Sequence, residues 1–282
     1  MKEERRRMHD VLSEIERRFI VSLASKERRV DGRMLKEMRP VTIETGLIKK
    51  AEGSAKVSLG ETKVIAGVKA ELGSPFPDEP NKGVITCNAE LIPLASPVFE
   101  VGPPQEDAIE LARVVDRGIR ESEMINLEKL CVIPGEKVWV LFVDLYILDD
   151  NGNLFDASSY AAVAALLTTK IPEVEVNGDN VVIQDERMLL PIDEVPVSIT
   201  FSRVGGRLLL DPTIDEEKAM DCRFTIVTDK EDNVVAVQKS GDGILSERDI
   251  SEALEVAIEK GREIREKHFY PILKSREAEA HG

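Results

Sequence analysis

The segment GSAKVSLGETKVIAGV, residues 53–68, decides the fold class of this chain. It contains two runs with the composition of strands, 55–59 and 63–68, and Gly60 and Glu61 separate them. A short connection that contains glycine, placed between two strand-forming runs, is typical of a hairpin. The segment therefore predicts two successive strands joined by a tight turn.

Further strands are predicted on both sides of this hairpin. Residues 41–44 (VTIE) predict a strand before it, and residues 84–94 extend the sheet after it. The long apolar run KVWVLFVDLYIL, residues 137–148, is typical of a buried strand. Turn-forming residues at 150–152 (DNG) end that strand. The first part of the chain is therefore expected to be built around a sheet.

Three helices are predicted among these strands. Residues 10–24 place apolar side chains at helical spacing opposite a charged side, which predicts an amphipathic helix docked on the rest of the protein. Pro103 and Pro104 precede a helix over 106–123, and the small residues of 157–169 predict a tightly packed helix. The apolar positions of the first helix are Val11, Leu12, Ile15, Phe19, Ile20 and Leu23.

The second part of the chain repeats the order of strands followed by a helix. Ser246 and Asp249 predict the capped start of a last helix that runs to about His268. Strands followed by helices in both parts predict an α+β fold in which helices cover mixed sheets. The four strands of the second part are expected at 195–203, 207–210, 223–228 and 234–238.

The composition excludes several classes of protein. No apolar run approaches the roughly 20 residues that a membrane helix requires, so we expect no membrane span and a cytoplasmic location. No P-loop or dinucleotide glycine motif is present. The cysteines and histidines are too scattered for a zinc site, a disulfide framework or a histidine base. They are Cys87, Cys131, Cys222, His9, His268 and His281.

The net charge of −15 argues against a surface that attracts nucleic acid everywhere. Residues 1–50 carry 14 Lys and Arg against 9 Asp and Glu, a balance of +5, which leaves −20 on the remainder. Any contact with nucleic acid must therefore come from a local basic patch.

The best candidate for such a patch is a ridge of arginines on the helix predicted over 106–123. At 100° per residue, Arg113, Arg117 and Arg120 fall within about 60° of one another around the helix axis. Apolar residues occupy the other side, so the arginines point away from the packed face. The alternative interpretation is a solvated charged face, because acids at positions 110 and 116 lie beside the ridge.

The acidic segment DPTIDEEKAMD, residues 211–221, is a second candidate site. Its carboxylates are the oxygen ligands that a magnesium ion prefers. Acidic loops that follow a strand are also commonly solvated and bind no metal. The pattern alone leaves both interpretations open.

Three motifs in order resemble the RNase PH family: RVDGR at 29–33, the hairpin segment at 53–68, and LDPTIDEE at 210–217. LDPT followed by acids, together with the long N-terminal helix, resembles the non-catalytic branch of this family in archaeal exosomes. The resemblance covers about residues 29–260 and implies a first part similar to domain 2 of ribosomal protein S5, with a smaller α/β second part. The implied division is 1–28 N-terminal helical extension, 29–190 first domain, 191–270 second domain and 271–282 C-terminal tail.

Active members of the family are phosphorolytic: inorganic phosphate attacks the last 3′ phosphodiester, and a nucleoside diphosphate is released. A DGGTR-type turn at a helix start holds the phosphate through backbone N–H groups and one arginine. We match this turn to residues 156–160 (DASSY), which places Tyr160 where the arginine is expected. Gln105 and Glu106 stand where active exosome subunits carry two arginines. The resemblance therefore implies a non-catalytic chain.

Asp215 and Asp221 keep the six-residue separation at which active relatives place metal-linked acids. We interpret them as vestigial carboxylates, because a phosphate must be bound and oriented before acids can assist the reaction. The resemblance then implies no catalytic residue, metal or cofactor in this chain, with magnesium and phosphate in a partner subunit. The alternative is an active phosphate-dependent 3′-to-5′ exoribonuclease that uses both acids with magnesium.

The resemblance also implies a set of partners. The chain would pair with a catalytic RNase PH-like subunit, three such heterodimers would close a hexameric ring, and RNA-binding cap proteins would cover one face. Arg113, Arg117 and Arg120 would bind single-stranded RNA during 3′-to-5′ degradation. A third possibility is a scaffold without RNA contact, in which the arginines pack against acids of a neighbouring subunit.

Overall fold

The computed structural model of the protein describes residues 2–177 and 180–280. Within these ranges the chain forms helices and strands, with a short 3-10 helix at Leu127–Leu130 and a π-helical turn at Arg265–Phe269. The helices are α1 (Lys2–Ser25), α2 (Glu106–Glu121), α3 (Leu154–Leu167), α4 (Ile214–Ala219), α5 (Glu247–Ile264) and α6 (Tyr270–Ala280). The strands are β1 (Val41–Thr45), β2 (Gly53–Leu59), β3 (Thr62–Gly73), β4 (Val84–Leu91), β5 (Cys131–Ile133), β6 (Lys137–Asp149), β7 (Lys170–Asn177), β8 (Asn180–Leu189), β9 (Val197–Val204), β10 (Arg207–Leu210), β11 (Cys222–Thr228) and β12 (Val234–Ser240).

The first sheet places β1, β2, β3, β6 and β4 side by side in that order, and β5 pairs with β6. All pairs are antiparallel except β4 and β6, which are parallel. Leu59 pairs with Thr62 across the turn, so the hairpin predicted from the sequence is confirmed. β3 runs on to Gly73, beyond its predicted end, because it pairs along β6 as far as Val138.

Helix α3 joins the first sheet to the second part of the chain. Every residue from Phe155 to Leu167 is buried, because the helix packs on β2, β3 and β6 and also on β9. A helix that is buried all round carries small and apolar residues on every side, which agrees with the small residues that predicted tight packing. The approach at Gly53 is so close that a Cβ atom there would lie 2.2 Å from Thr169 Oγ1.

The second sheet is antiparallel, with its strands in the order β10, β9, β11 and β12. Helix α5 packs on β9 and β11. It starts at the predicted cap, where the Ser246 side chain accepts the N–H of Asp249. One hydrophobic core continues from the first sheet through α3 to the second sheet and α5. The α+β class is therefore confirmed, whereas the division into domains near residue 190 stays a prediction.

Several stretches differ from the sequence-based expectations, among them β5 and α4, which the pattern does not predict. β7 and β8 form a hairpin where the pattern predicts no strand. Helix α3 begins at Leu154, three residues before the predicted start. The chain continues from α5 through the π-helical turn into α6, so residues 271–280 of the predicted tail are helical, and residues 281–282 lie outside the described ranges.

Helix α1 is confirmed, but it docks through only part of its predicted apolar side. Ile20 and Ala24 are buried against the second sheet, whereas Ile15 and Phe19 are exposed. The side chains of residues 11–12 lie outside the described part of the chain. The helix is therefore anchored near its C-terminal end. Neither α1 nor another helix of the described ranges is long and apolar enough to cross a membrane.

A buried carboxylate, Asp211, joins three segments that are distant in sequence. Arg39 donates to it from Nε at 2.9 Å, from Nη2 at 2.7 Å and from its backbone N–H at 2.8 Å. Arg33 Nη1 and Asn153 Nδ2 also donate to Asp211, each at 2.8 Å. Although burial alone would raise it, the hydrogen bonds and charge of Arg39 hold the pKa of Asp211 below its ordinary value. Asp211 thus ties the segment before β1 to the start of α3 and the end of β10.

A second buried ion pair joins Arg29 to Glu216, with Nη2 of the arginine 2.6 Å from Oε2 of the carboxylate. Arg29 also donates to the backbone oxygens of Leu210 and Asp211, at 2.8 Å each. Asp211 and Glu216 both belong to the acidic segment 211–221. The interpretation of that segment as a solvated loop is therefore wrong for these two acids, because their charges are paired inside the protein.

Asp156, in the first turn of α3, is a fully buried acid that contacts the second sheet. Its Oδ2 accepts the backbone N–H of Thr200 at 2.9 Å, and its Oδ1 accepts the Thr200 hydroxyl at 2.8 Å. Asn153 Nδ2 donates to the same carboxylate at 2.9 Å. Burial raises the pKa of Asp156 to about 7 in spite of these hydrogen bonds.

Replacing Asp211 by asparagine tests the contribution of its ion pairs. Asparagine has the same shape and tolerates the φ of +51° at this position, but it leaves Arg39 buried without a counter-charge. We expect Asp211→Asn to lower the free energy of unfolding by about 3–5 kcal/mol, measured by urea denaturation. The control Asp149→Asn removes an exposed ion pair with Lys63 and should cost less than about 1 kcal/mol. Equal losses would contradict the assignment.

The raised pKa of Asp156 predicts how stability depends on pH. The pKa of this acid is about 7 in the folded protein against 3.8 ordinarily, so the folded state binds the proton more tightly. The protonated side chain of Asp156 therefore contributes its full stabilisation below about pH 4, and this stabilisation is lost as the pH rises to about 7. Burial raises the pKa of Glu217 to about 7 as well, which adds a slope of the same sign.

We expect Asp156→Asn to reduce the pH slope of the unfolding free energy near about pH 5.5 by about 1.4 kcal/mol per pH unit, because one titrating group is removed. Urea denaturation in steps between about pH 4 and pH 9 measures this slope. Above about pH 8 the variant and the natural protein should show the same dependence on pH. An unchanged slope near pH 5.5 would mean that Asp156 does not titrate there.

Candidate functional site

The arginine ridge lies on the exposed side of helix α2, as the helical spacing predicts. Arg113, Arg117 and Arg120 are all exposed. The packed side of the helix faces the core and consists of Ala108, Leu111, Ala112, Val114, Val115, Gly118 and Ile119. The contact of these arginines with RNA stays a prediction, and their geometry shows which of them are available for it.

Arg113 and Arg117 line one side of a groove of about 400 Å³ between α2 and β12. Across this groove, Arg117 Nη1 donates to Oε1 of Gln238 at 3.0 Å. Within the described ranges neither arginine forms an ion pair with an acid. Glu110, which the sequence places beside the ridge, accepts instead from Ser240 Oγ at 2.8 Å. Glu106 and Glu110 also line the groove, but neither forms an ion pair with Arg113 or Arg117, so both guanidiniums keep N–H donors that no carboxylate occupies.

Arg120 differs from the other two arginines of the ridge. Its Nη2 lies 2.9 Å from Oδ1 of Asp116, one helical turn earlier, and the same nitrogen donates to the backbone oxygen of Ile85 at 2.9 Å. The hydrogen bonds that Arg120 donates to the Asp116 carboxylate raise the pKa of Arg120 above its ordinary value. The charge of Arg120 is thus balanced locally, and its side chain is directed towards β4. The interpretation as a charged face with its own ion pairs therefore fits Arg120 alone.

The turn before α3 is where a phosphate-binding loop of this type would lie. It consists of Asp150, Asn151 and Gly152, followed by the cap Asn153, whose side chain accepts the N–H of Asp156. Gly152 has a φ of +81°, and a Cβ atom there would lie 2.4 Å from the backbone nitrogen of Ile214. The turn is therefore packed closely against the start of α4, and only glycine fits at its third position.

The match of this turn to residues 156–160 is wrong. Those residues lie inside α3, after its start, and Tyr160 is fully buried. The Tyr160 hydroxyl donates to the backbone oxygen of Ser198 at 2.8 Å, and the ring packs edge-on against Phe269. Tyr160 is therefore a core residue. Counting from Asp150 instead, the five residues read DNGNL, which keeps the first aspartate and the second glycine of DGGTR and places Leu154 at the arginine.

The two acids singled out by their six-residue spacing face basic side chains of the same chain. Asp215 is exposed and lies 3.5 Å from Lys218 Nζ. Asp221 lies 3.0 Å from a guanidinium nitrogen of Arg17 on α1 and 3.8 Å from one of Arg203. The described contacts of both acids lie away from the turn before α3. The interpretation of Asp215 and Asp221 as vestigial carboxylates stays a prediction.

Glu217 of the acidic segment and Arg223, two residues after that segment on β11, reach the start of α3. Glu217 Oε1 accepts the backbone N–H of Asn153 at 3.0 Å. The Arg223 guanidinium lies 3.9 Å from the centre of the Phe155 ring and 3.3 Å from Glu110 Oε2. Glu217 and Arg223 are also six residues apart. They lie two positions after Asp215 and Asp221, so the six-residue spacing fits this second pair as well. One member of this second pair is a cation.

These residues do not fit a magnesium site. Burial raises the pKa of Asp150 and raises that of Glu217 to about 7, which favours the protonated forms. The positive charge of Arg223 acts on Glu217, and a guanidinium supplies no oxygen ligand for a metal. Within residues 2–177 and 180–280, no three His, Cys, Asp or Glu side chains are grouped so that they could hold a metal ion.

Two domains of one known family match the chain. Domain 1 of the 3′ exoribonuclease family matches residues 37–172, which include the whole first sheet. Domain 2 of the same family matches residues 194–260, which include the whole second sheet.

Relatives of similar length are about half identical to this chain. The exosome complex component Rrp42 of Thermococcus kodakarensis is 52% identical over 260 residues, which cover 92% of this chain and 96% of the relative. The exosome complex component Rrp42 of Archaeoglobus fulgidus is also 52% identical, over 258 residues that cover 92% of this chain and 97% of the relative.

Solved structures share the fold. A chain of the Archaeoglobus fulgidus exosome with RNA bound to the active site is 50% identical, has a TM-score of 0.84, and is matched over 91% of this chain and 99% of that chain. A chain described as rice Rrp46 is 20% identical with a TM-score of 0.66 over 86% of this chain and 100% of that chain, and it shows the fold alone. The fold that the motifs led us to expect is confirmed, and the chain belongs to the RNase PH family of 3′ exoribonucleases.

Proposed function

We propose that the chain is a non-catalytic subunit of an archaeal RNA exosome. In this proposal it pairs with a catalytic RNase PH-like subunit in the cytoplasm, three pairs close a hexameric ring, and RNA-binding cap proteins cover one face. The support is the identity of 52% over 92% of this chain to a relative named exosome component Rrp42, and of 50% to a chain of an exosome structure. The chain would then guide single-stranded RNA while its partner degrades it from the 3′ end.

The observation that carries the RNA-guiding role is the pair of unneutralised arginines at the groove. Arg113 and Arg117 stand one helical turn apart, and among the described residues neither forms an ion pair, although Glu106 and Glu110 line the same groove. A guanidinium binds phosphate through two parallel N–H donors when no carboxylate competes for them. Two such groups on a protein of net charge −15 form the local basic patch that binding to an RNA backbone requires.

The absence of catalysis by this chain rests on two positions. Leu154 stands where the phosphate-binding arginine of a DGGTR turn is expected, so position 154 offers an attacking phosphate no charge. Arg223 stands six residues after Glu217, where the second metal-linked acid is expected. A guanidinium beside the first acid repels a divalent cation. Both changes act against phosphorolysis, one on the nucleophile and one on the metal.

The RNA-guiding role predicts a loss of binding when the groove changes charge. In the ring reconstituted with the catalytic subunit, Arg113→Glu combined with Arg117→Glu should weaken RNA binding. The slope of log affinity against log salt concentration should fall by about 0.7 for each lost phosphate contact. Fluorescence anisotropy with a labelled single-stranded RNA at several salt concentrations measures both quantities.

The matched control reverses two charges elsewhere. Arg248 and Lys274 are exposed on α5 and α6, so Arg248→Glu with Lys274→Glu changes the net charge equally without touching the groove. Size-exclusion chromatography verifies that each variant ring is assembled. If the groove variant and the control bind RNA equally well, the chain is a scaffold without RNA contact.

The non-catalytic assignment predicts that the purified chain, given RNA, magnesium and phosphate, releases no nucleoside diphosphate, whereas the reconstituted ring does. Thin-layer chromatography of labelled RNA detects the product. Release by the chain alone that is abolished by Asp221→Asn or Glu217→Gln would establish the alternative, an active phosphate-dependent exoribonuclease. Glu217→Gln removes the acid at the start of α3, and Asp221→Asn removes the acid of the original six-residue pair.

A further inference from the structure

Gln238 is the only residue of β12 that lines the groove of Arg113 and Arg117 in the described part of the chain. It is half-buried on a strand of the second sheet, and its Oε1 accepts from Arg117 Nη1 at 3.0 Å. The contact spans 121 positions in sequence and connects α2 of the first part to the second sheet. The direction of the Arg117 side chain therefore depends on a residue of the other half of the protein.

The chemistry of this partner is what distinguishes Arg117 from Arg120. Arg120 is held by the carboxylate of Asp116, which fixes the guanidinium but also neutralises it. Gln238 fixes one N–H of Arg117 with a neutral carbonyl oxygen. A neutral acceptor orients the guanidinium and leaves its full charge and its remaining donors available. A phosphate approaching the groove then meets an arginine that is both oriented and unneutralised.

We propose that Gln238 is a positioning residue for RNA: it holds the Arg117 guanidinium at the groove so that Arg117 and Arg113 bind the phosphate backbone of a single strand together. The proposal rests on the RNA-guiding role proposed above. Long arginine side chains lose rotational freedom when they bind, and a hydrogen bond that fixes the side chain beforehand reduces that loss. Gln238 thus increases affinity without itself carrying charge.

Two substitutions separate orientation from charge. In the reconstituted ring, Gln238→Ala removes the acceptor but keeps the charge of Arg117, so RNA binding should weaken about three- to tenfold with an unchanged salt slope. Gln238→Glu keeps an acceptor but neutralises Arg117, so binding should weaken and the salt slope should fall by about 0.7, the value for one phosphate contact. Because the new carboxylate lowers the salt slope by its charge alone, the positioning role is tested by Gln238→Ala, which must weaken binding at an unchanged slope.

A double-mutant cycle with Arg117→Gln tests whether Gln238 acts through Arg117. In the Arg117→Gln ring, Gln238→Ala should have no further effect on RNA affinity, since its target is gone. The control Val237→Ala changes the exposed neighbour of Gln238 on β12 and should leave affinity unchanged in both backgrounds. Thermal unfolding of each ring verifies that the variants are folded.

The outcomes distinguish this proposal from the one on which it rests. If Arg113→Glu with Arg117→Glu weakens RNA binding but Gln238→Ala and Gln238→Glu do not, the positioning role is overturned and the RNA-guiding role stands. If the arginine variant has no effect, both are overturned. Additive effects of Gln238→Ala and Arg117→Gln would also overturn the positioning role, because they would mean that Gln238 acts independently of Arg117.

Discussion

Asp211 keeps its charge inside the protein only because Arg39, Arg33 and Asn153 surround it with donors. A buried carboxylate with this many partners requires all of them to arrive together, which fixes the segment before β1, the start of α3 and the end of β10 in one arrangement. These contacts also fix the position of the turn before α3. The backbone of this turn is therefore fixed by the packing of Gly152 against α4 and by the hydrogen bond from Asn153 to Asp211.

Much of the fold could be predicted because local patterns decide it. The hairpin at residues 53–68, the buried strand β6 and the capped helix α5 all follow from composition and spacing within a few residues. The start of α3 could not be placed this way, since it depends on Asn153 bonding to Asp211, 58 positions away. The hairpin of β7 and β8 was not predicted because most of its side chains are exposed, so burial does not impose an alternating apolar pattern on its sequence.

The candidate site was predictable in part for the same reason. Helical spacing is local, and it correctly placed all three arginines of the ridge on one exposed side. It placed Asp116 beside Arg120, with which that acid pairs. It could not reveal the contact of Arg117 with Gln238, because Gln238 comes from the second sheet. The phosphate turn was matched to residues 156–160, which lie inside α3, because the small residues there are compatible with a turn as well as with a packed helix. Only the position of the cap, Asn153, decides between the two.

The groove of Arg113 and Arg117 has one wall from each part of the chain, α2 on one side and β12 on the other. Both parts of the chain are therefore needed to form the groove, and one continuous hydrophobic core connects them. A substitution on β12 can consequently change the contacts of an arginine on α2, although the two elements lie far apart in the sequence.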